Sequence, residues 1–294
     1  MDKFYIDFLR RAEMESFLPT FEKLFSKYPE ELAKLGEDYV NSTIDQGITE
    51  KAAKALFPEY HPNTVETVLQ VAASKPLLNL YLSRGYTEEQ FYNSMYDVKN
   101  KYEEGLQFNG IEGTHCAGWQ RKFFRLELIG VGIFQYELGR IVDMGNGYHN
   151  HGVDFNVGDD VLVLHIPSGK KFTKEERLKS YKMAYEFFKD RLINGKFAFY
   201  CASWLFYPDY EEIFDKGNVH DFRHEFEMEG KVEQQGFLDA HRVFGNIKNL
   251  KVEDYPENTS LQRAFKKRML ENGNGYGYGY GYFVFDGEKI LTEN

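Results

Sequence analysis

Residues 165–174 combine a histidine with a short basic loop, a set of side chains that suits an anionic ligand beside a general base. His165 closes the apolar run 161–166, and the loop 168–174 (SGKKFTK) follows with Gly169, which permits close backbone approach to a ligand. The loop begins with Ser168 and carries three lysines: Lys170, Lys171 and Lys174. Because imidazole titrates near neutral pH, His165 is a candidate base, and the loop is a candidate phosphate or pyrophosphate site.

Both features also have plainer explanations. The loop lacks the spacing of a Walker A motif and of a G-x-G-x-x-G fingerprint, and it can be a solvated turn. His165 can equally be a core histidine that is hydrogen-bonded to a backbone carbonyl. Residue types and spacing alone leave these alternatives open.

The segment 197–206 adds a thiol and a hydroxyl. In a strand, Cys201 and Ser203 lie on one face, whereas Ala202 and Trp204 lie on the other. A thiol and His165 are the groups of a nucleophile–base pair. A cysteine in an apolar strand is more often inert packing, and a tryptophan there fits a core or a pocket wall.

Residues of the kinds that bind metals occur in two further places. An H-x-H-x-x-D cluster, formed by His149, His151 and Asp154, lies in a Gly- and Asn-rich stretch that we expect to be solvated. His220 and His224 (HDFRH) would share a helix face, but the glutamate of H-E-x-x-H is missing. We therefore expect no metal, and the absence of G-x-S-x-G argues against an α/β-hydrolase.

A strand–helix–strand unit would position these groups. The apolar run 161–166 is typical of a strand buried on both faces, and 197–206 predicts a second strand. Between them, Thr173 and Glu176 form a T-x-x-E capping box that predicts the start of a helix. The predicted apolar face of that helix comprises Leu178, Tyr181, Ala184, Tyr185 and Phe188. The positive N-terminal end of such a helix favours an anion at the loop.

The first third of the chain predicts helices. One helix is expected to end near Pro76, and another begins at a capping box of Thr87 and Gln90 and closes at Gly105. The polar, Gly-containing segment 106–118 then predicts a linker. From Trp119 onwards, segments 123–128 and 131–138 predict strands, and a helix is expected to start in 256–260 (PENTS).

Near the C-terminus, four tyrosines alternate with glycine: Tyr276, Tyr278, Tyr280 and Tyr282. An extended chain would put every ring on one face, although a disordered low-complexity tail is the alternative. The Asp286-Gly287 pair that follows is a strong hairpin signal and favours a strand. The pattern as a whole predicts an α+β chain with a helical domain over 1–118 and a mixed-sheet domain with flanking helices over 119–294.

Composition narrows the functional classes. The 294 residues carry a formal net charge of −10, which disfavours general binding to nucleic acid or anionic membranes. Only Cys116 and Cys201 occur, so we expect no disulfide framework and a cytoplasmic location. The charged N-terminal segment does not resemble a signal peptide, and no apolar run is long enough to span a membrane.

Four segments of the second half resemble one family. The segments LVLHIPSG, SYKMAYEFF, CASWLF and TSLQR are similar to the patterns L-x-H-I-P-x-G, S-x-x-x-A-x-x-F-F, C-H-S-W-L-L and T-S-L-Q-R. These patterns belong to bacterial acyltransferase-domain proteins with paired GNAT-like N-terminal and C-terminal domains. The segment IFQYEL resembles the L-Q-F-E strand of that family. The resemblance covers most of residues 119–294 and implies a GNAT-like C-terminal domain.

The resemblance also implies a place for acetyl-CoA or another acyl-CoA. In GNAT enzymes the loop after the fourth strand binds the pyrophosphate, and pantetheine lies where the fourth and fifth strands separate. The matching positions here are 168–174 for the loop, 161–166 for the fourth strand and 197–206 for the fifth. The expected contacts with acyl-CoA come from Leu164, Ile166, Ser168, Gly169, Lys170, Lys171, Lys174 and Trp204.

This chain departs from the family pattern at two positions. Its loop does not read R/Q-x-x-G-x-G/A, the usual pyrophosphate-binding sequence of GNAT enzymes. Ala202 stands where the family pattern has histidine. If that histidine is catalytic in the family, this chain uses His165 instead or is impaired.

We accordingly expect an acyltransferase that moves an acyl group, by first expectation acetyl, from acyl-CoA to an amine of a small molecule or peptide. His165 would be the base, a backbone N–H near Leu164 would bind the thioester carbonyl, and Ser203 or Tyr207 would protonate the thiolate. One alternative is a non-catalytic module that binds CoA, another ligand or a protein on the same fold. Another is a Cys201–His165 thiol enzyme, and the oligomeric state stays open.

Overall fold

The computed structural model describes residues 2–140, 147–271 and 275–293. Two compact units divide the chain, Met1–Gly130 and Val131–Asn294. The sequence pattern predicts a boundary at 118/119, at the end of the predicted linker 106–118. That segment contains the end of one helix and the start of another, and it belongs to the first unit.

The first unit is helical, as expected. Its core is a cluster of buried aromatic and aliphatic side chains, in which Phe8, Phe17 and Phe21 are almost fully buried. Each helix turns one apolar face towards this cluster. Seven α-helices occur among its described residues: α1 (Lys3–Arg11), α2 (Leu18–Phe25), α3 (Pro29–Val40), α4 (Gln46–Leu56), α5 (Pro62–Ser83), α6 (Glu88–Asn109) and α7 (Ala117–Gln120).

The helix predicted to end near Pro76 instead continues through it to Ser83. Proline has no N–H, so the carbonyl of Ala72, four residues earlier, loses its partner within the helix. The Tyr5 hydroxyl donates a hydrogen bond to that carbonyl at 3.4 Å. Because α5 is also buried along most of its length, tertiary contacts outweigh the cost of the proline.

Two further sequence predictions about this unit are wrong. Helix α6 does not close at Gly105 but runs to Asn109 and ends at Gly110 in the left-handed conformation (φ 64°). Segment 123–128 is not a strand throughout, since Phe123–Arg125 forms a 3-10 turn. Phe123 and Phe124 are both fully buried, so these neighbours do not alternate between core and solvent as strand residues would.

A mixed sheet organises the second unit, with strands in the order β1-β2-β3-β4-β6-β5. The pairs β2–β3, β4–β6 and β5–β6 are antiparallel, and β3–β4 is parallel. Strand β1 lies at the edge of this sheet. The strands are β1 (Leu128–Val131), β2 (Phe134–Arg140), β3 (Asp160–His165), β4 (Phe197–Ser203), β5 (Glu227–Gln234) and β6 (Tyr276–Phe285), and the helices are α8 (Lys174–Phe187), α9 (Asn218–Arg223), α10 (Ala240–Phe244) and α11 (Ser260–Leu270).

The two faces of the sheet differ in what covers them. Helix α8 packs on one face through Tyr181, whose ring lies 4.4 Å from that of Phe283 and 5.4 Å from that of Phe134. We call this the helix-covered face. The opposite face, which we call the loop-covered face, carries Tyr282, on which Tyr148 of the segment before β3 stacks at 4.4 Å.

The Gly-Tyr repeat is a strand in the interior of the sheet and not a disordered tail. Strand β6 pairs with β4 on one side and with β5 on the other. Gly279 makes room for the chain that follows β4, because a Cβ at this position would lie 2.2 Å from the carbonyl oxygen of Phe206. The predicted turn follows at Asp286, whose side chain accepts hydrogen bonds from the N–H groups of Glu288 and Lys289. On the two sides of this turn, Phe285 and Ile290 form an isolated antiparallel bridge.

Candidate acyl-CoA site

The predicted strand–helix–strand unit is confirmed as β3, α8 and β4. The side chain of Thr173 accepts a hydrogen bond from the N–H of Glu176 at 3.4 Å and begins α8. The buried face of α8 differs from the predicted one. Arg177 and Ser180 are buried together with Tyr181 and Ala184, whereas Leu178 and Tyr185 are partly exposed.

Strands β3 and β4 touch over a very short distance. Their pairing consists of the single register pair Val163 and Tyr200, whereas β2–β3 has six pairs and β4–β6 has seven. Parallel neighbours that stay side by side would continue the ladder in both directions. The ladder therefore does not continue past this pair towards Leu164 and Ile166 on β3 and Ala202 on β4, and we call this interruption of the pairing the gap between β3 and β4.

His165 lies beside this gap with a carboxylate as its partner. Its Nε2 is 3.1 Å from Oε2 of Glu137 on the neighbouring strand β2. The two side chains are 26% and 19% exposed, so the pair is accessible but largely shielded. A carboxylate on Nε2 favours the tautomer with its proton there, which puts the ring lone pair on Nδ1. Glu137 is not among the residues predicted from the sequence, where its only signal is its place in an alternating strand.

Strand alternation decides which predicted groups share a face with His165. Val163 and Tyr200 contribute to the cluster on the loop-covered face, so His165 and Ala202, two residues further along each strand, lie on that face too. Cys201 and Ser203 lie on the helix-covered face. Continued by two residues, the register of Val163 and Tyr200 makes Ala202 the β4 residue that corresponds to His165 on this face.

The Cys201–His165 thiol enzyme is wrong for two reasons. The sheet separates the two side chains, because they lie on opposite faces. Cys201 is also 1% exposed, and burial raises the pKa of its thiol far above the usual value. A thiol that is buried in this way stays protonated and unreactive.

Carboxylates near the loop 168–174 offset part of the positive charge of its three lysines. Ser168, Gly169 and Lys171 are exposed, and Gly169 has a left-handed φ of 81°. Lys174 is already paired with Glu293, a hydrogen bond that raises the pKa of the lysine. The first turn of α8 also carries two acidic residues, Glu175 and Glu176, which weaken the attraction of this helix end for an anion.

A buried ion pair supports the end of this loop. Arg177 and Glu225 are both 0% exposed and meet at 2.8 Å, and Tyr181 donates a hydrogen bond to the same carboxylate at 2.7 Å. Burial raises the pKa of Glu225, although the guanidinium acts in the opposite direction. Arg177 also donates to the carbonyls of Phe172 and Asn218, both at 3.1 Å. This network fixes the loop to helix α9.

The remaining predicted residues have other contacts. The Ser203 hydroxyl accepts a hydrogen bond from the N–H of Leu205 at 3.2 Å and caps the 3-10 turn Trp204–Phe206. Trp204 packs against Phe237 at 5.6 Å in a separate aromatic cluster. Tyr207 is buried in the same cluster and donates to Glu233, and burial together with this hydrogen bond raises the pKa of its hydroxyl.

The H-x-H-x-x-D cluster is divided between two carboxylates. His149 pairs with Asp154, whereas His151 pairs with Glu227 at 2.6 Å. Glu227 also accepts hydrogen bonds from Tyr148 and Asn150, so it holds this loop over the sheet. Among the described residues, the group whose geometry could hold a metal ion lies elsewhere, at Glu211, His220 and His224.

An open cavity of about 560 Å³ lies in the helical unit and contains none of the residues predicted to act on acyl-CoA. Within the described ranges, no helix combines the length and the apolar character that a bilayer crossing requires.

Comparison with known sequences agrees with this geometry. Residues 128–283, slightly more than half of the chain, match the GNAT-like C-terminal domain family. The chain belongs to this family. The match begins at β1 and ends within β6, so it includes the gap, His165 and the loop after β3. A comparison with curated proteins finds no match.

Solved structures share the fold of this GNAT-like protein. An acyltransferase in complex with decanoyl-CoA aligns with a TM-score of 0.63 at 17% identity, over 94% of this chain and 86% of the other. An acyltransferase with decanoyl-CoA and teicoplanin, and a mutant acyltransferase with octanoyl-CoA, each align with a TM-score of 0.61 at 17% identity. These two matches cover 75% of this chain and 66% of the other, just under two thirds of its length.

Proposed function

We propose that this protein is an acyltransferase that takes an acyl group from acyl-CoA and passes it to an amine of a small molecule or peptide. The observation that carries the proposal is the interrupted pairing of β3 and β4 beside the His165–Glu137 pair. In the GNAT fold, pantetheine lies where the corresponding strands separate. Acyltransferases of similar fold bind octanoyl-CoA and decanoyl-CoA, which supports an acyl-CoA donor.

In the proposed reaction, the amine attacks the thioester carbonyl, so that a C–N bond forms and the C–S bond breaks. Nδ1 of His165 takes the proton of the amine, and Glu137 stabilises the resulting imidazolium through Nε2–H. The imidazolium can then return the proton to the CoA thiolate. A backbone N–H near Leu164 remains our proposed donor to the carbonyl oxygen.

The proposed donor contacts come from the gap and the loop. Leu164 and Ile166 would line the pantetheine, and the backbone of Ser168 and Gly169 would approach the pyrophosphate. Lys170, Lys171 and Lys174 would add positive charge at the pyrophosphate, although Lys174 also forms an ion pair with Glu293. Ser203, Tyr207 and Trp204 are left out of the proposed contacts, because each has other partners in the fold.

The position of Ala202 provides a test of the base. Since Ala202 and His165 share a face across the gap, a histidine at either position could serve an acceptor bound there. His165→Ala should lower the rate of acyl transfer by about 10²-fold or more. Adding Ala202→His to that variant should recover part of the rate, whereas Cys201→Ser should change nothing.

The assay uses the full chain with acetyl-, octanoyl- and decanoyl-CoA and a panel of amines, and it follows release of the CoA thiol. Calorimetry with CoA measures binding separately. Absence of CoA binding at about 1 mM would refute acyl-CoA as the donor. Full activity of His165→Ala would refute His165 as the base.

A non-catalytic CoA-binding module on this fold is the second candidate. It is favoured by Ala202 and by the acidic residues in the first turn of α8. Tight CoA binding without transfer to any amine of the panel would support the module over the enzyme.

A further inference from the structure

Two histidines of helix α9 lie one turn apart. His220 lies within the helix and His224 is its C-terminal cap, still in the right-handed helical conformation. Their rings are 4.2 Å apart between centroids and tilted by 32°. Histidines at this spacing on a helix present both imidazoles to one ligand.

A carboxylate completes the group. One ligating atom from each of Glu211, His220 and His224 lies within 4.8 Å of the others. The two histidines are partly buried and Glu211 is exposed. Arg223 donates a hydrogen bond to Oε2 of Glu211, which orients the carboxylate.

The hydrogen bonds of both rings select the nitrogen that can bind a metal. Nδ1 of His224 lies 2.9 Å from the carbonyl oxygen of His220, so Nδ1 carries the proton. Nδ1 of His220 lies 3.3 Å from Oδ1 of Asp221. Both contacts favour the tautomer with its lone pair on Nε2, and partners of this kind orient metal-binding histidines.

We propose that Glu211, His220 and His224 form a binding site for Zn²⁺. Two imidazoles and one carboxylate are ligands that zinc accepts in tetrahedral geometry, with water in the fourth position. The sequence predicted no metal here because HDFRH lacks the glutamate of H-E-x-x-H. Glu211, nine residues before His220, supplies a carboxylate from a separate segment.

The site would tie together the segments that hold the loop after β3. Glu211 follows the 3-10 turn Pro208–Tyr210, so a metal would link that turn to α9. Phe222 of α9 packs on Phe172 of the loop, with their ring centroids 5.0 Å apart. Bound zinc would therefore stabilise the fold. The proposal does not depend on acyl transfer.

Calorimetric titration of ZnCl₂ into the metal-stripped full chain, prepared without a polyhistidine tag, tests the site. One equivalent should bind saturably, and Co²⁺ at the same site should produce visible d–d absorption. His224→Gln and Glu211→Gln should each weaken zinc binding by about tenfold or more. His149→Gln, in the other histidine cluster, is the matched control and should bind like the wild type.

Zinc should also raise the midpoint of thermal unfolding of the wild type and of His149→Gln, but not of the two ligand variants. Unfolding in EDTA and circular dichroism identify any variant that misfolds. The proposal would be overturned if the wild type bound no zinc saturably. It would also be overturned if both ligand variants bound zinc as the wild type does.

Discussion

Replacing Glu225 with glutamine tests whether the buried ion pair stabilises the second unit. The substitution keeps the shape of the side chain but removes the negative charge. The Arg177 guanidinium, 0% exposed, would then remain among neutral partners: the new amide and the carbonyls of Phe172 and Asn218. A buried charge without a counter-charge is the main cost.

Loss of one partner from a buried ion pair costs about 3–5 kcal/mol. In a unit of this size each kcal/mol lowers the unfolding midpoint by about 2–4 °C, so the expected drop is roughly 6–20 °C. The double variant Arg177→Met, Glu225→Gln removes both charges. Its cost should be smaller than the sum of the two single costs by about 2–3 kcal/mol.

Urea unfolding at pH 7.5, followed by circular dichroism, measures the free energies for the four proteins of this cycle. Asp160→Asn is the matched control, because the Arg140–Asp160 pair is 69% and 58% exposed. That substitution should cost no more than about 1 kcal/mol. If Glu225→Gln costs no more than this control, or if the single costs are simply additive, the ion pair does not have the role assigned to it.

Two further stability predictions concern backbone contacts. Gly279→Ala should destabilise the protein by about 1–3 kcal/mol, because its Cβ would lie 2.2 Å from the Phe206 carbonyl oxygen. Tyr5→Phe should cost about 1 kcal/mol, because the Ala72 carbonyl loses the hydroxyl that replaces a helical partner. Adding Pro76→Ala restores an N–H four residues after Ala72, so Tyr5→Phe should cost less in that background. Urea unfolding measures both effects.

The controls for these two predictions lie in the chain itself. Gly118→Ala places its Cβ in open space and should be neutral or slightly stabilising. A Gly279→Ala protein as stable as Gly118→Ala would mean that the chain after β4 does not need this glycine. An equal cost of Tyr5→Phe with and without Pro76 would contradict the account of α5.

Local sequence signals identified the unit that holds the candidate site. An apolar run, the Thr173 cap and a second apolar run were sufficient for β3, α8 and β4, because these signals depend on residues close in the chain. The resemblance then identified the family over the second half. The Asp286-Gly287 turn and the Thr87 capping box were predictable for the same local reason.

The tertiary structure decided the points that depend on distant partners. Pro76 lies inside a helix because α5 is buried along most of its length and Tyr5, 71 residues earlier in the sequence, donates to the freed carbonyl. The Gly-Tyr repeat is an interior strand because β4 and β5 pair with its two edges. Neither partner can be recognised from the residues around these positions.

The same distinction applies to the site. The sequence alone determined that His165 ends a strand beside a basic loop. Only the fold paired it with Glu137 at 3.1 Å, put Ala202 on the same face of the sheet and put Cys201 on the opposite face. Alternation along one strand follows from the sequence, but the register between strands is set by packing of the whole sheet. That register decides which side chains can act together.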